Sequence, residues 1–237
     1  TSVVDAYASV KEALIHASCY LNVQTKIDFV DTELLENEKS PHDLLSIYDG
    51  IIVPGGFGSR GVEGKIKAIE YARKNSIPYL GLCLGMQLMV IEYARNVAKI
   101  EGATSAEFDE KSAHQVIHLM PSQQKITQKG GSMRLGAWEC VLKKNTKAYE
   151  AYGQEKIFER HRHRYEVNTE YVKLLEEAGL VFSGTSPDGQ IMEMCEWRDG
   201  WGVATQAHAE FKSRLENPSP LFIAFVKECI KNQKENR

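Results

Sequence analysis

The stretch Ile77-Pro78-Tyr79-Leu80-Gly81-Leu82-Cys83-Leu84-Gly85-Met86-Gln87 decides the fold. Ile77 to Leu82 is a short apolar run, the composition of a strand buried on both faces. From Gly85 to Ala98 the apolar residues recur at helical spacing, so a helix follows with almost no loop between. A cysteine flanked by glycines at such a junction is the thiol counterpart of the G-x-S-x-G nucleophile elbow. Small neighbours let strand and helix approach the turn closely. The first backbone N–H groups of the helix then point at the sulfur and, with the helix dipole, favour thiolate over thiol. The N–H of Leu84 would be one oxyanion donor. A lone cysteine is more often a buried structural residue beside helix-capping glycines, and at this stage both readings stand.

Working outward, strands and helices alternate through the first half of the chain. Asp5 to Leu21 reads as a helix with Asp5 as its N-cap, and Val23 to Val30 alternates like a strand. Asn37 to His42 reads as a polar loop. Asp49-Gly50 leads into the buried strand Ile51–Val53, which stops at Pro54-Gly55-Gly56, and Glu63 to Lys74 is helical. This alternation predicts a parallel sheet with helices on both faces. After Gly102 the pattern changes. Gln115 to Leu119 and Met133 to Leu142 read as strands around a Gln/Lys/Gly-rich loop, Thr146 to Tyr152 as a short helix, Ile157 to Val167 as extended and Thr169 to Ala178 as helical. Leu180 to Phe182, Ile191 to Trp197 and Gly202 to Gln206 resemble hairpin strands, and Ser219 to Lys231 is a closing helix with a polar tail. The expected fold class is α/β: a mostly parallel central sheet flanked by helices, with an antiparallel extension, as one domain over residues 1–237.

Composition narrows the function classes. The 237 residues carry a formal net charge of -3, with 43% hydrophobic and 26% charged residues, which suits a soluble chain with a real core. The acidic balance argues against nucleic-acid binding, and no apolar stretch is long enough for a membrane span. No secretory signal precedes the first helix. Cys19, Cys83, Cys140, Cys195 and Cys229 are dispersed without a CxxC pair, the pattern of reduced thiols in the cytoplasm.

Two further segments offer chemistry. Ile51-Ile52-Val53-Pro54-Gly55-Gly56-Phe57-Gly58-Ser59-Arg60-Gly61 ends a parallel strand, where α/β sheets place ligands. A glycine backbone there can turn an N–H toward a developing oxyanion. The Walker pattern fails, because no Gly-Lys-Ser/Thr follows. Gly56, Gly58 and Gly61 match G-x-G-x-x-G in form, but no ribose-binding acid is clearly placed, and a purely structural turn stays open. His208 and Glu210 lie two residues apart at a strand end. The carboxylate there can hold one imidazole nitrogen while the other takes a thiol proton. A surface His–Glu pair would look the same. His161 and His163 share a strand face, but a third metal ligand is not evident, and no metal site is expected.

Taken together, Pro54-Gly55-Gly56-Phe57-Gly58, Gly81-Leu82-Cys83-Leu84-Gly85-Met86-Gln87 and His208-Ala209-Glu210 resemble the class I, triad-type glutamine amidotransferases. More narrowly, Glu159-Arg160-His161-Arg162-His163-Arg164-Tyr165-Glu166-Val167-Asn168, Met133-Arg134-Leu135-Gly136 and Asp5-Ala6-Tyr7-Ala8-Ser9-Val10 are similar to the glutaminase domains of the CTP synthase family. Pro54 to Glu63 and Phe211 to Leu221 fit the same family, so the resemblance spans essentially the whole chain. It implies Cys83 as nucleophile, His208 as base, Glu210 as its orienting carboxylate, and the backbone of Gly56 and Leu84 as oxyanion hole. It also implies Gln87, Glu107 and Arg164, with Gly56 and Leu84, around the substrate, L-glutamine. An arginine suits the substrate carboxylate and a glutamate its ammonium. No cofactor is implied within this domain. ATP, Mg and UTP are implied for a separate synthetase domain, with GTP as activator and a homo-oligomer for the full-length enzyme.

Two departures from the pattern matter. Ala209 stands where the family has proline, which removes a rigid turn constraint and predicts a triad that survives with a looser His208–Glu210 geometry. The family also has a buried strand just before the position of Thr1, so residues 1–237 are expected to lack the domain's first strand. Two rival readings are a glutaminase of another biosynthetic pathway, against which Glu159–Asn168 argues, and a binding or regulatory module that is silent without its partner domain.

Overall fold

A computed structural model describes residues 4–37, 40–119 and 133–235. The Gln/Lys/Gly-rich loop between Leu119 and Met133 lies outside the described residues. Ten strands are seen among them: β1 (Ile51–Val53), β2 (Tyr79–Leu82), β3 (Thr104–Ser105), β4 (Gln115–Leu119), β5 (Arg134–Leu142), β6 (Lys156–His163), β7 (Tyr165–Val167), β8 (Leu180–Thr185), β9 (Met192–Trp197) and β10 (Gly202–Thr205). The helices are α1 (Ala8–Leu21), α2 (Thr32–Asn37), α3 (Pro41–Leu45), α4 (Val62–Lys74), α5 (Leu84–Asn96), α6 (Lys147–Tyr152), α7 (Val172–Ala178) and α8 (Pro220–Glu235).

The main sheet has the order β1-β2-β10-β9-β8-β5-β6. β1, β2 and β10 are parallel, and every later pairing is antiparallel. The α/β class and the antiparallel extension are as the sequence predicts, with the parallel part of this sheet limited to those three strands. A second sheet, β3-β4-β7, packs beside it. It arises because Ile157–Val167 is not one strand. The chain breaks at Arg164, so β6 pairs with β5 while β7 pairs with β4.

The sheet separates two apolar clusters. Tyr79 faces the side covered by α4 and α5, whereas Leu80 and Leu82 face α1, α6 and α8. β2 is therefore buried on both faces, which explains its unbroken apolar run. Helix α5 is buried from Leu84 to Ala94, more completely than a surface amphipathic helix would be. Glu92 lies in that buried stretch and is held by Arg73 of α4, with Nη2 to Oε1 at 2.6 Å and Nε to Oε2 at 3.0 Å. Among the described residues no helix is long and apolar enough to cross a membrane.

Three local expectations need correction. Val23–Val30 forms no strand, because no described strand supplies it with a ladder partner. Its apolar alternation instead serves packing: Val23 and Ile27 join one cluster, and Val30 joins the other. Asp5 is not the N-cap of α1. It lies in a preceding 3-10 turn, Val4–Tyr7, and Tyr7 takes the cap position. The polar stretch Asn37–His42 is not all loop. Asn37 ends α2, and Ser40 caps α3 by accepting from the His42 N–H, with Pro41 opening that helix.

The junction between β2 and α5 leaves no space for added atoms. A Cβ on Gly85 would stand 2.1 Å from the Val53 carbonyl oxygen, and one on Gly81 would stand 2.8 Å from Ala204 Cβ. Gly85→Ala is therefore expected to destabilise the chain by about 3 kcal/mol, as overpacking against backbone does. Urea unfolding measures this, and wild-type stability in the variant would contradict the close approach.

Candidate active site

Cys83 stands between β2 and α5 with φ 50° and ψ −100°, a conformation that a non-glycine residue adopts only when its surroundings enforce it. Its N–H donates to the Thr205 carbonyl at 2.8 Å, extending the β2–β10 ladder to this residue. Its own carbonyl accepts from Met86 N–H and Gln87 N–H at 3.1 and 3.3 Å, which starts the helix. The Tyr79 hydroxyl donates to the Gly85 carbonyl across the turn at 2.9 Å. The sharp turn thus leaves the sulfur at the helix N-terminus, as the elbow reading requires.

β10 runs beside β2 and delivers His208 three residues after its end. The His208 N–H donates to the Arg160 carbonyl of β6 at 2.7 Å, and the ring lies on Phe211 with centroids 4.7 Å apart and planes 6° from parallel. Nδ1 bonds the Glu210 carboxylate at 2.7 Å, so the carboxylate fixes the proton on Nδ1 and leaves Nε2 for the thiol. The looser geometry expected from Ala209 is not found. The 3-10 turn Ala209–Lys212 and the Phe211 stack hold the pair without a proline.

Cysteine and imidazole meet across the glycine loop. A Cβ on Gly55 would lie 2.6 Å from His208 Cε1 and 3.5 Å from Cys83 Cβ, so only glycine fits there. Gly56 is next to the turn as well: its Cβ would stand 3.3 Å from Leu84 Cδ2. The structure therefore brings Cys83, His208, Glu210, Gly56 and Leu84 to one place.

The electrostatics follow from burial and partners. Burial opposes a charged His208, but Cys83 and Glu210 outweigh it and raise the pKa from 6.5 to about 10. Nε2 is buried with no hydrogen-bond partner among the described residues, so its interaction with Cys83 is not a well-aligned hydrogen bond at rest. Cys140 and Cys195 are also buried, but burial pushes their thiols well up and no imidazole serves them. All five cysteines are free.

The remaining residues from the sequence reading are distributed around this centre. Gln87 is buried, and its Nε2 donates to the Tyr165 carbonyl at 3.0 Å and to Gln206 Oε1 at 3.2 Å. Glu107 accepts from the Gly58 N–H at 2.9 Å and so braces the glycine loop. Arg164 occupies the break between β6 and β7. Burial raises the pKa of Tyr165, Glu107 adds to the rise and Arg164 opposes it, which puts both charges near one ring. Gln206 is the residue that sequence reasoning missed. It is fully buried, and its Nε2 lies 3.6 Å from Cys83 Sγ. The available signal was a carboxamide at the end of an apolar strand, two residues before His208. His161 and His163 bond each other at 3.1 Å, and among the described residues no cluster of three metal-ligating side chains occurs.

A thiol, a carboxylate-held imidazole and a glycine loop on this sheet define a class. The chain belongs to the class I glutamine amidotransferases, whose family description matches residues 2–228. It is 56% identical over 234 residues to a CTP synthase of Carboxydothermus hydrogenoformans, covering 98% of this chain and 44% of that protein. It is 53% identical over 233 residues to a CTP synthase of Methanocaldococcus jannaschii, covering 95% and 43%. The chain thus spans less than half the length of these curated relatives. Among solved structures it is similar to the glutaminase domain of Trypanosoma brucei CTPS with bound acivicin, with a TM-score of 0.91 and 38% identity over 97% of this chain and 89% of that one. Within the class, it falls among the glutaminase domains of CTP synthases.

The shared charge makes a testable coupling. NMR titration should find His208 protonated until near pH 10 in the wild type, and the midpoint should fall in Cys83→Ala because one of its two supports is gone. The raised pKa also stabilises the fold below about pH 6.5, and that contribution is lost as pH rises through about 10. An unmoved His208 midpoint in Cys83→Ala would show that sulfur and imidazole do not interact.

Proposed function

We propose that this chain hydrolyses L-glutamine to glutamate and ammonia, with Cys83 as nucleophile, His208 as proton carrier and Glu210 as the carboxylate that orients it. The observation that carries the reading is the His208–Glu210 bond of 2.7 Å beside a strained cysteine at a helix N-terminus. The sulfur attacks the side-chain amide carbon of glutamine. The backbone N–H groups of Gly56 and Leu84 receive the charge that develops on the amide oxygen. His208 gives its proton to the departing nitrogen, ammonia leaves, and a glutamyl thioester remains. Water, deprotonated by His208, then attacks the thioester, and glutamate and the thiol are released.

Arg164 and Glu107 are placed in this reading on the α-carboxylate and α-ammonium of the substrate. Gln87 joins them through the family pattern, although its amide nitrogen is engaged within the protein. The names and lengths of the relatives support a larger context. We place the ammonia's use in a synthetase region outside this chain, where UTP is aminated to CTP at the expense of ATP and Mg, with GTP promoting the glutaminase step. No cofactor is assigned to the present domain.

Glutamate release from glutamine tests the reading directly. Cys83→Ala should reduce kcat/KM by at least roughly ten-thousandfold, and Glu210→Gln by on the order of a thousandfold. Wild-type turnover in Cys83→Ala would overturn the mechanism. Acivicin, which the Trypanosoma brucei relative binds, is expected to protect Cys83 from alkylation. Turnover that appears only after the synthetase region and nucleotide are added would mark the domain as partner-gated.

A further inference from the structure

We propose that the Gln206 carboxamide donates a hydrogen bond to the Cys83 sulfur that favours its thiolate form, and that Gln87 fixes the direction of that bond. The proposal rests on Cys83 as the reacting group and adds two residues that set its ionisation.

The direction follows from hydrogen-bonding capacity alone. The Tyr165 carbonyl can only accept, and it accepts from Gln87 Nε2 at 3.0 Å and from His163 Nδ1 at 3.0 Å. Rotating the Gln87 amide would set its oxygen against that carbonyl, so the NH2 group must face Tyr165. The same NH2 reaches Gln206 Oε1 at 3.2 Å, which forces the Gln206 oxygen toward Gln87. The Gln206 NH2 is thereby turned to Cys83 Sγ, 3.6 Å away. Both amides are almost wholly buried, so water does not compete for them. His163 carries its proton on Nδ1, and its Nε2 can then accept from His161 Nδ1 at 3.1 Å. Burial keeps both imidazoles neutral, pushing His161 down to about 2 and His163 down to about 3, so each holds one donor and one acceptor.

The sulfur has opposed neighbours. The Arg162 carbonyl of β6, 3.9 Å away, can accept only from the S–H form. Gln206, from the end of β10, and the charged His208 ring favour the thiolate, with Glu210 behind the ring as the nearby anion. No other hydrogen bond to the sulfur from a described residue is seen. An N–H donor bonds a thiolate far more strongly than a thiol, so removing it shifts the balance toward S–H.

The test measures thiolate by its ultraviolet absorbance against pH, as a difference from the Cys83→Ala chain, which removes the other cysteines from the signal. Gln206→Met keeps the length and loses the donor. Its Cys83 midpoint should rise by about one pH unit, a tenfold loss of thiolate at fixed pH. Gln87→Met should give a smaller rise, because Gln206 keeps its amide but loses its orientation. An unchanged midpoint in Gln206→Met overturns the proposal. If that variant does not fold, Gln87→Met decides, and an unchanged midpoint there overturns it. A purely packing role would lower thermal stability without moving the midpoint. The readout needs no turnover, so a shifted midpoint in Gln206→Met, beside an unsubstituted chain that releases no glutamate even with the synthetase region and nucleotide added, would refute the glutaminase reading and leave this one standing.

Discussion

Everything in the site depends on the backbone at Cys83. A positive φ at a residue with a Cβ costs on the order of 1–3 kcal/mol and persists only where neighbours leave no alternative. Here the nearest neighbours are a backbone carbonyl and an alanine methyl fixed to its backbone, neither of which can rotate aside as a long side chain does. The Val53 carbonyl of β1 fills the space where Gly85 would carry a Cβ, and Ala204 of β10 fills that of Gly81. The turn is thus clamped by both strands adjacent to β2. Burial of Leu84, Met86, Leu88, Met89, Val90 and Ile91 holds the helix against the sheet. At about 1.5–3 kcal/mol for each large side chain, that burial far exceeds the strain.

The strand β10 then makes the site possible. It pairs in parallel with β2 and in antiparallel with β9, so it is the seam between two kinds of sheet. On its β2 side its Thr205 carbonyl takes the Cys83 N–H, and Gln206 and His208 follow just after its end. On its other side the antiparallel strands extend to β6, whose Arg160 carbonyl takes the His208 N–H and whose Arg162 carbonyl faces the sulfur. The antiparallel half is therefore part of the site's geometry: it anchors the His208 backbone and brings a carbonyl to the sulfur.

The elements read correctly from sequence are those whose cause is local. The run from Tyr79 to Leu82 and the helix after Cys83 follow from burial pattern, and the Gly-x-Cys-x-Gly spacing follows from the steric need at two positions. His208 and Glu210 are two residues apart, which marks them as a candidate pair, but a surface pair would look the same, and only the resemblance carried by the other motifs singled them out. The failures have non-local causes. Val23–Val30 carries a strand pattern, but a strand exists only with a partner, and alternation cannot report whether one is present. The division of Ile157–Val167 between two sheets depends on where β4 and β5 lie, which nothing near Arg164 encodes. Gln206 was missed because its partners, Gln87 and Cys83, are more than a hundred residues away. A buried amide looks like an ordinary strand-end residue until its neighbours are known.

A buried cation normally demands full pairing, and His208 has two partners of different kinds. Glu210 sits at a fixed distance and bonds Nδ1 whatever the state of the sulfur. Cys83 supports the charge only to the extent that it is itself ionised, so proton and thiolate charge are coupled across the gap. In the mechanism proposed above, that arrangement suits a proton that must move: Glu210 holds the ring in place and Cys83 trades the proton with it. It also explains how Ala209 can stand where the family has proline. What the proline would contribute is rigidity of the turn, and here the His208 backbone is held by the Arg160 carbonyl and its ring by the Phe211 face and Glu210. One contact fixes the backbone and two fix the imidazole, so the His208–Glu210 bond stays at 2.7 Å without a proline between them.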